Sequence, residues 1–173
     1  MDDCYSGQQL DDIFLQMIAY YAGDPKRICH LTKVHSFARI IGEQEELDDT
    51  TLFILEAAAY THDIGIKLAE EKYGSCDGKL QEQEGPIVAQ KMLSEIGVEN
   101  YLIDRICYLI GHHHTYHDID GLDYQILVEA DFLVNLYEDE ASRHTIEEAG
   151  RRIFRTKSGK KLFEQMFSDG RDN

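Results

Sequence analysis

The spacing of apolar residues limits this chain more than any other feature. They recur at intervals of three and four rather than in alternation, and only two prolines, Pro25 and Pro86, fall within the 173 residues. A period near 3.6 gathers such residues on one face of a helix, whereas a strand with one buried face needs a period of two. The fold class expected is all-α, and no two segments read as a credible strand pair. A chain of this length suits one domain with a contiguous core and is too short for two of ordinary size. Without an internal repeat, a low-complexity linker or a composition break, residues 1–173 read as a single helical bundle. Its core would run from about 25 to 138, with an N-terminal helix and C-terminal helices packed on it.

Caps and breakers place the helices. Leu10, Ile13, Phe14, Met17, Ile18 and Tyr21 share one stripe of a helix over Gln8 to Tyr21, closed by Gly23. Asp24-Pro25 supplies an N-cap acid and a proline at the first helical position, opening a helix that runs to about Glu45. Asp49-Thr50 is expected to cap a third, which passes Leu52, Leu55, Ala58 and Ala59 and is interrupted at Ile64-Gly65. Lys72 to Lys79, with two glycines, reads as a loop. Further helices are expected over about 83–96, 100–110, 124–137, 145–154 and 160–167, followed by a frayed tail from Asp169 to Asn173.

Charge narrows the partners. Seventeen basic against 33 acidic residues give a formal charge of −16, a field that repels extended nucleic acid and anionic membrane surfaces alike. A compact anionic substrate then requires a bound cation or a local basic cluster. Met1-Asp2-Asp3-Cys4 is acidic where a secretory signal would be basic, and no apolar run approaches a membrane span, so a cytoplasmic location is expected. Cys4, Cys29, Cys76 and Cys107 form no C-x-x-C pair and read as reduced thiols, mostly packing residues, with Cys29 a buried thiol beside His30. Arg151, Arg152, Arg155, Lys157, Lys160 and Lys161 form a dense basic run that reads as a solvated helix face.

Three places carry chemistry. Asp131 lies in the apolar stretch from Ile126 to Val134 and shares a face with Leu127 and Val134. A buried carboxylate needs a cation, hydrogen-bond donors or a proton; the other reading is a surface acid beside Glu129 or an acid capping a neighbouring helix. His62-Asp63 ends the apolar run from Ala57, and at a helix end broken by Gly65 both side chains can reach one cation. Imidazole and carboxylate together suit zinc, iron, manganese or nickel. On the second helix, Val34, Phe37 and Ile41 fall within about 40° of His30, while His35 lies about 140° away. His30 therefore faces the core and His35 reads as a boundary residue. Arg27, one turn before His30, can reach a bound phosphate or lie in solvent.

The order His30, His62-Asp63, Asp131 resembles the H…HD…D pattern of the HD superfamily of metal-dependent phosphohydrolases. Val34 and Ala38, four and eight residues after His30, match the residues that usually follow the first histidine. Ala57 to Gly65 is similar to the apolar helix ending in HDIG, and Glu129-Ala130-Asp131 to the closing acid, so the likeness spans about Arg27 to Leu136. It implies a bundle of the HD type holding one or two divalent ions (Fe, Mn, Ni, Zn or Co), with His30, His62, Asp63 and Asp131 as ligands. Asp63 would be the catalytic residue that bridges two ions or orients a water. The implied reaction is hydrolysis of a small phosphate ester or anhydride, with nucleotides a common substrate class. An HD-type di-iron oxygenase and a nucleotide-sensing module without turnover stand as alternatives, and a second copy of the chain as a further candidate partner.

A subset of that family holds two metals through two added histidines. His112-His113-His114 resembles the second of these, with His113 the first choice from its distance to Asp131. The other usually precedes a Gly-Pro-like helix start, where Glu84-Gly85-Pro86 stands, making Glu84 the candidate oxygen ligand. A lysine about four residues past the pair's aspartate is frequent in the family, and Lys67 is the candidate phosphate contact there. His117 and His144 read as surface residues.

Overall fold

Side-chain caps fix where several of the helices begin. In a computed structural model that describes residues 7–168, the Asp24 carboxylate accepts from the Arg27 amide at 3.1 Å with Pro25 at the first helical position. Ser142 and Thr156 cap two later helices through the amides of Thr145 and Gly159. The expectations made for Met1 to Cys4 and for the Asp169–Asn173 tail lie outside the described residues. Within them the regular elements are helices: α1 (Gly7–Tyr20), α2 (Pro25–Gln44), α3 (Asp49–Thr61), α4 (Gly65–Tyr73), α5 (Gly78–Ile96), α6 (Asn100–Ile110), α7 (Leu122–Glu138), α8 (Arg143–Arg152) and α9 (Lys157–Phe167). The fold is all-α.

Several boundaries differ from the sequence reading, three of them near the His62-Asp63 pair or its flanking helices. The cap of α3 is Asp48, whose carboxylate accepts from the Thr51 amide at 3.0 Å, rather than Asp49-Thr50. Residues 65–73 form the helix α4, where the pattern suggested only an interruption and then a loop. Its buried face is narrow, consisting of Gly65, Ile66 and Ala69, too few apolar positions to show a period. The helix α5 begins at Gly78, about five residues early, so Pro86 sits inside it rather than near its start.

Gly65 has a different task from the one its place after His62-Asp63 suggests. Its backbone is not left-handed; a Cβ there would meet the Gly85 amide nitrogen at 2.6 Å and the Gln81 carbonyl at 2.7 Å. The missing Cβ of Gly65 allows α4 to lie against α5 at backbone contact, which sets both helices beside the end of α3.

The core is built on α2, α3 and α7, which pack on one another, with α6 against α3 and α5 against α6 and α4. Fully buried Leu31, Val34, Ala38 and Ile41 from α2 meet Leu55, Ala58 and Ala59 from α3 and Ile126, Leu127, Ala130 and Leu133 from α7. Burying a side chain of Leu or Ile size contributes about 1.5–3 kcal/mol relative to exposure, so this three-helix contact anchors the frame that carries the polar residues. The helix α1 packs on α3 and α5, and α9 on α7 and α2. Among the described residues no helix is long and apolar enough to cross a membrane.

Candidate metal centre

Each helix of the core sends polar groups to one point. His30 projects from the second turn of α2, His62 and Asp63 from the turn after α3, His113 from the turn after α6, and Asp131 from the middle of α7. His30 Nε2 lies 3.4 Å from His62 Nε2, 3.5 Å from Asp63 Oδ2 and 3.2 Å from Asp131 Oδ1. His62 Nε2 lies 3.4 Å from the same Asp131 oxygen and 3.6 Å from Asp63 Oδ1, and His113 Nε2 lies 3.3 Å from Asp63 Oδ1. His62 is fully buried, and His30, His113 and Asp131 are buried.

Ring orientation follows from the opposite nitrogens. His62 Nδ1 faces the Ala59 carbonyl at 3.0 Å and His113 Nδ1 the Ile110 carbonyl at 2.7 Å. His30 Nδ1 faces Glu138 Oε2 at 2.9 Å. An acceptor at Nδ1 requires the proton on that nitrogen, so Nε2 carries a lone pair in each neutral ring. With all three rings neutral, their Nε2 lone pairs point at carboxylate oxygens, which are lone pairs as well. His113 Nε2 and Asp131 Oδ1 have no hydrogen-bond partner although both are buried. Stranded buried polar atoms cost free energy, and a divalent cation among them removes the conflict. The donor set, imidazole nitrogens with carboxylate oxygens, fits such an ion.

The electrostatics agree. Burial alone would push the His30 ring down, yet the close carboxylates of Asp131 and Asp63 push it up to about 9. Burial would raise Asp63, but the imidazoles of His62 and His113 hold it down to about 2. Asp131 is driven far below the carboxylate range by His30 and His62 against its burial. All three shifts are what closely opposed cations and anions produce, with ring protons standing where a metal charge can stand.

Two overlapping groups emerge. Ligand atoms of His30, His62 and Asp63 lie within 4.8 Å of one another, and so do those of Asp63, His113 and His114. Asp63 belongs to both. His114 faces Gln81 Oε1 through Nε2 at 3.0 Å and the Tyr116 hydroxyl through Nδ1 at 3.3 Å. Burial and the neighbouring His113 push its ring down to about 4, so it is neutral near pH 7. Glu82 pins this turn by accepting from the His114 amide and the Thr115 hydroxyl, both at 3.0 Å. The Tyr124 hydroxyl bridges the His112 and Thr115 carbonyls from α7.

Other sequence candidates fall elsewhere. Glu84 is not brought to the cluster: its carboxylate accepts from Lys72 Nζ at 2.7 Å and from the Tyr73 hydroxyl at 2.8 Å, closing the end of α4 onto α5. Gln81, one turn earlier on α5, faces His114 instead. His112 stacks on Tyr108 and points away from both groups. His35 bonds Glu56 Oε1 at 2.9 Å and stacks on Tyr60, while His117 and His144 are exposed. Cys29 is exposed rather than buried, because adjacent positions on α2 point about 100° apart and His30 takes the inward direction. Arg27 and Lys67 line one cavity of about 240 Å³ with Tyr20 and Tyr21. Arg27 bonds Glu70 at 2.6 Å, Lys67 donates to the Tyr20 carbonyl at 3.2 Å, and the Tyr21 hydroxyl donates to the Asp63 carbonyl at 2.6 Å. Neither Glu138 nor Gln81 was indicated by the sequence, since each is defined by a partner on another helix.

The HD domain family model matches residues 27–155, which contain every residue of the cluster. The chain belongs to the HD domain family. The structure of this HD domain protein is similar to the crystal structure of a predicted HD superfamily hydrolase from an uncultured Thermotogales bacterium. The two are 25% identical, with a TM-score of 0.63 over 93% of this chain and 84% of the other. Comparison with curated proteins yields no match.

Proposed function

We propose that this HD domain protein is a metal-dependent phosphohydrolase that cleaves a small phosphate ester or anhydride, with nucleotides as the substrate class. The observation that carries the reading is the convergence of imidazole nitrogens on the carboxylates of Asp63 and buried Asp131, with His113 Nε2 and Asp131 Oδ1 unpartnered. The relative of known structure is itself described as a predicted hydrolase. When bound, a divalent ion supplies a water acidified toward neutral pH and a positive charge opposite a phosphoryl oxygen. His30, His62, Asp63 and Asp131 would hold one ion; Asp63, His113 and His114 would hold a second.

The chain's own residues then have separable tasks. Asp63 turns Oδ2 toward His30 and Oδ1 toward His62 and His113, which suits it to span both groups and orient an attacking water. Arg27 and Lys67 place cationic groups one turn from His30 and Asp63, and their cavity is of a size for a phosphoryl group. A second cavity of about 750 Å³ opens beside His114 and is lined also by Tyr116, Lys79 and Glu82. Its volume falls in the range of small-molecule sites, and it offers an aromatic face together with donors and acceptors to a nucleoside leaving group. Burial pushes the Tyr116 phenol up to about 12, so it remains a hydrogen-bond donor at neutral pH.

Elemental analysis of the purified chain, followed by a screen of nucleotides and phosphate monoesters against manganese, iron, cobalt, nickel and zinc, tests the proposal. It predicts at least one ion per chain and metal-dependent phosphate release from one substrate class. A metal-loaded chain that consumes oxygen and releases no phosphate from any of them would contradict it.

A further inference from the structure

We infer that Glu138, held by Lys33, is the positioning residue that sets the His30 ring for a cation and makes the His30 group the tighter of the two cation groups. The inference rests on the metal-centre reading above and not on the reaction assigned to it. It starts from a difference among the three rings that present Nε2. His62 and His113 sit in turns just past helix ends, where a carbonyl three residues back is free to accept from Nδ1. Such carbonyls are available because the last turn of a helix leaves four of them without intrahelical partners. His30 sits inside α2, where backbone carbonyls are taken by the helix ladder. Its Nδ1 instead meets Glu138 Oε2 at 2.9 Å, contributed by the last residue of α7, 108 positions away in the chain.

Glu138 is itself held. Its Oε1 accepts from Lys33 Nζ at 2.9 Å, so one carboxylate spans two side chains of α2 one turn apart. The Glu138 side chain is 16% exposed and the His30 side chain 10%, which keeps water from competing strongly for either bond. A carboxylate behind an imidazole fixes the tautomer that leaves Nε2 bare and makes that nitrogen a stronger donor than a carbonyl does. The other group lacks such support: His113 has a carbonyl behind it, and both nitrogens of His114 face neutral partners, Gln81 and Tyr116. Glu138 also adds a negative charge to the His30 side of the centre, and Lys33 moderates it without contacting the ring.

Zinc binding to the metal-free full chain, measured by competition with a chromophoric chelator, separates the two steps of loading. In the wild type the first zinc is expected to bind more tightly than the second. Glu138→Ala should weaken the first step roughly 10- to 100-fold and leave the second unchanged. Glu138→Gln, which keeps an acceptor oxygen but no charge, should fall between the two, and Lys33→Met should weaken the first step least. In the zinc-loaded chain, long-range proton-nitrogen spectra of the imidazoles should show the His30 Nδ1 proton furthest downfield, moving upfield in Glu138→Gln while those of His62 and His113 stay in place. Thermal unfolding of each variant checks that the fold is kept. Wild-type first-step affinity in Glu138→Ala, or equal losses in both steps, would overturn the inference. A chain that binds zinc as described but hydrolyses nothing would remove the phosphohydrolase reading and leave this one standing.

Discussion

Glu129 and Asp131 are buried acids two residues apart on α7, and they solve the same problem in opposite ways. Glu129, fully buried, accepts from the amides of Arg155 and Thr156 at 2.6 and 2.9 Å, from the Gln125 side chain at 2.8 Å and from the Thr156 hydroxyl. Thr156 in turn caps α9 through the Gly159 amide, and a Cβ on Gly159 would collide with the Glu129 carboxylate. Its charge is met entirely by donors of the fold. Asp131 has imidazoles around it and an oxygen without a hydrogen bond. Burial of a carboxylate is therefore not the mark of a metal site here; the mark is a carboxylate that the protein leaves incompletely paired while crowding lone pairs around it.

The comparison breaks most visibly at Asp131. Asp131→Ala removes the carboxylate oxygen nearest the Nε2 atoms of both His30 and His62, and the expected outcome is loss of stoichiometric metal from the purified chain, read by elemental analysis. Glu129→Ala should do the reverse. With the Thr156 hydroxyl and two amides left without an acceptor, at about 1–3 kcal/mol for a stranded group, stability should fall by about 3 kcal/mol or more in denaturant unfolding. Its metal content should match the wild type.

Removing the metal should expose a further difference. In the metal-free chain His30 is raised to about 9 from an unfolded value near 6.5, so its contribution to stability is complete below about pH 6.5 and is lost as pH rises through about 9. Asp63 is lowered to about 2, so its contribution is present above about pH 4 and is lost as pH falls through about 2. Metal-free protein should accordingly be most stable in mildly acidic solution, and Asp131→Ala should lower the His30 value and flatten the alkaline decline. Chemical denaturation across pH 4 to 9 gives the slope; an equal decline in Asp131→Ala would remove Asp131 as its cause. Smaller effects are expected away from the centre. Glu84→Gln should leave metal content unchanged while α4 exchanges its amides faster, since the Glu84 partners are Lys72 and Tyr73. His35→Ala, losing one bond and one ring stack, should cost about 1 kcal/mol with full metal retention.

Much of the frame was legible because it is local. Periodicity placed His30 inward and His35 toward the boundary, and Asp24-Pro25 marked the start of α2, all from residues within one or two turns. The acid tied to the start of a neighbouring helix is Glu129, which holds the α9 cap residue Thr156 rather than capping the helix itself. Nothing in the stretch from Ile126 to Val134 tells it apart from Asp131, because the donors of Glu129 come from residues 155 and 156. The same limit hides Glu138 and Gln81. For Glu84, the unread length of α5 matters: with the helix starting at Gly78, the side chain facing His114 is Gln81, about 4.5 Å earlier along the axis. The helix α4 stayed hidden because its opening glycine reports a contact with Gly85 rather than a break.

Anomalous X-ray scattering at the absorption edge of the ion found in the purified chain would test the central claim most directly. The account predicts a peak bonded to His30 Nε2, His62 Nε2 and oxygens of Asp63 and Asp131 at about 2.0–2.2 Å. No peak at that point in a metal-loaded crystal, with His30 and His62 paired only to the carboxylates, would contradict it.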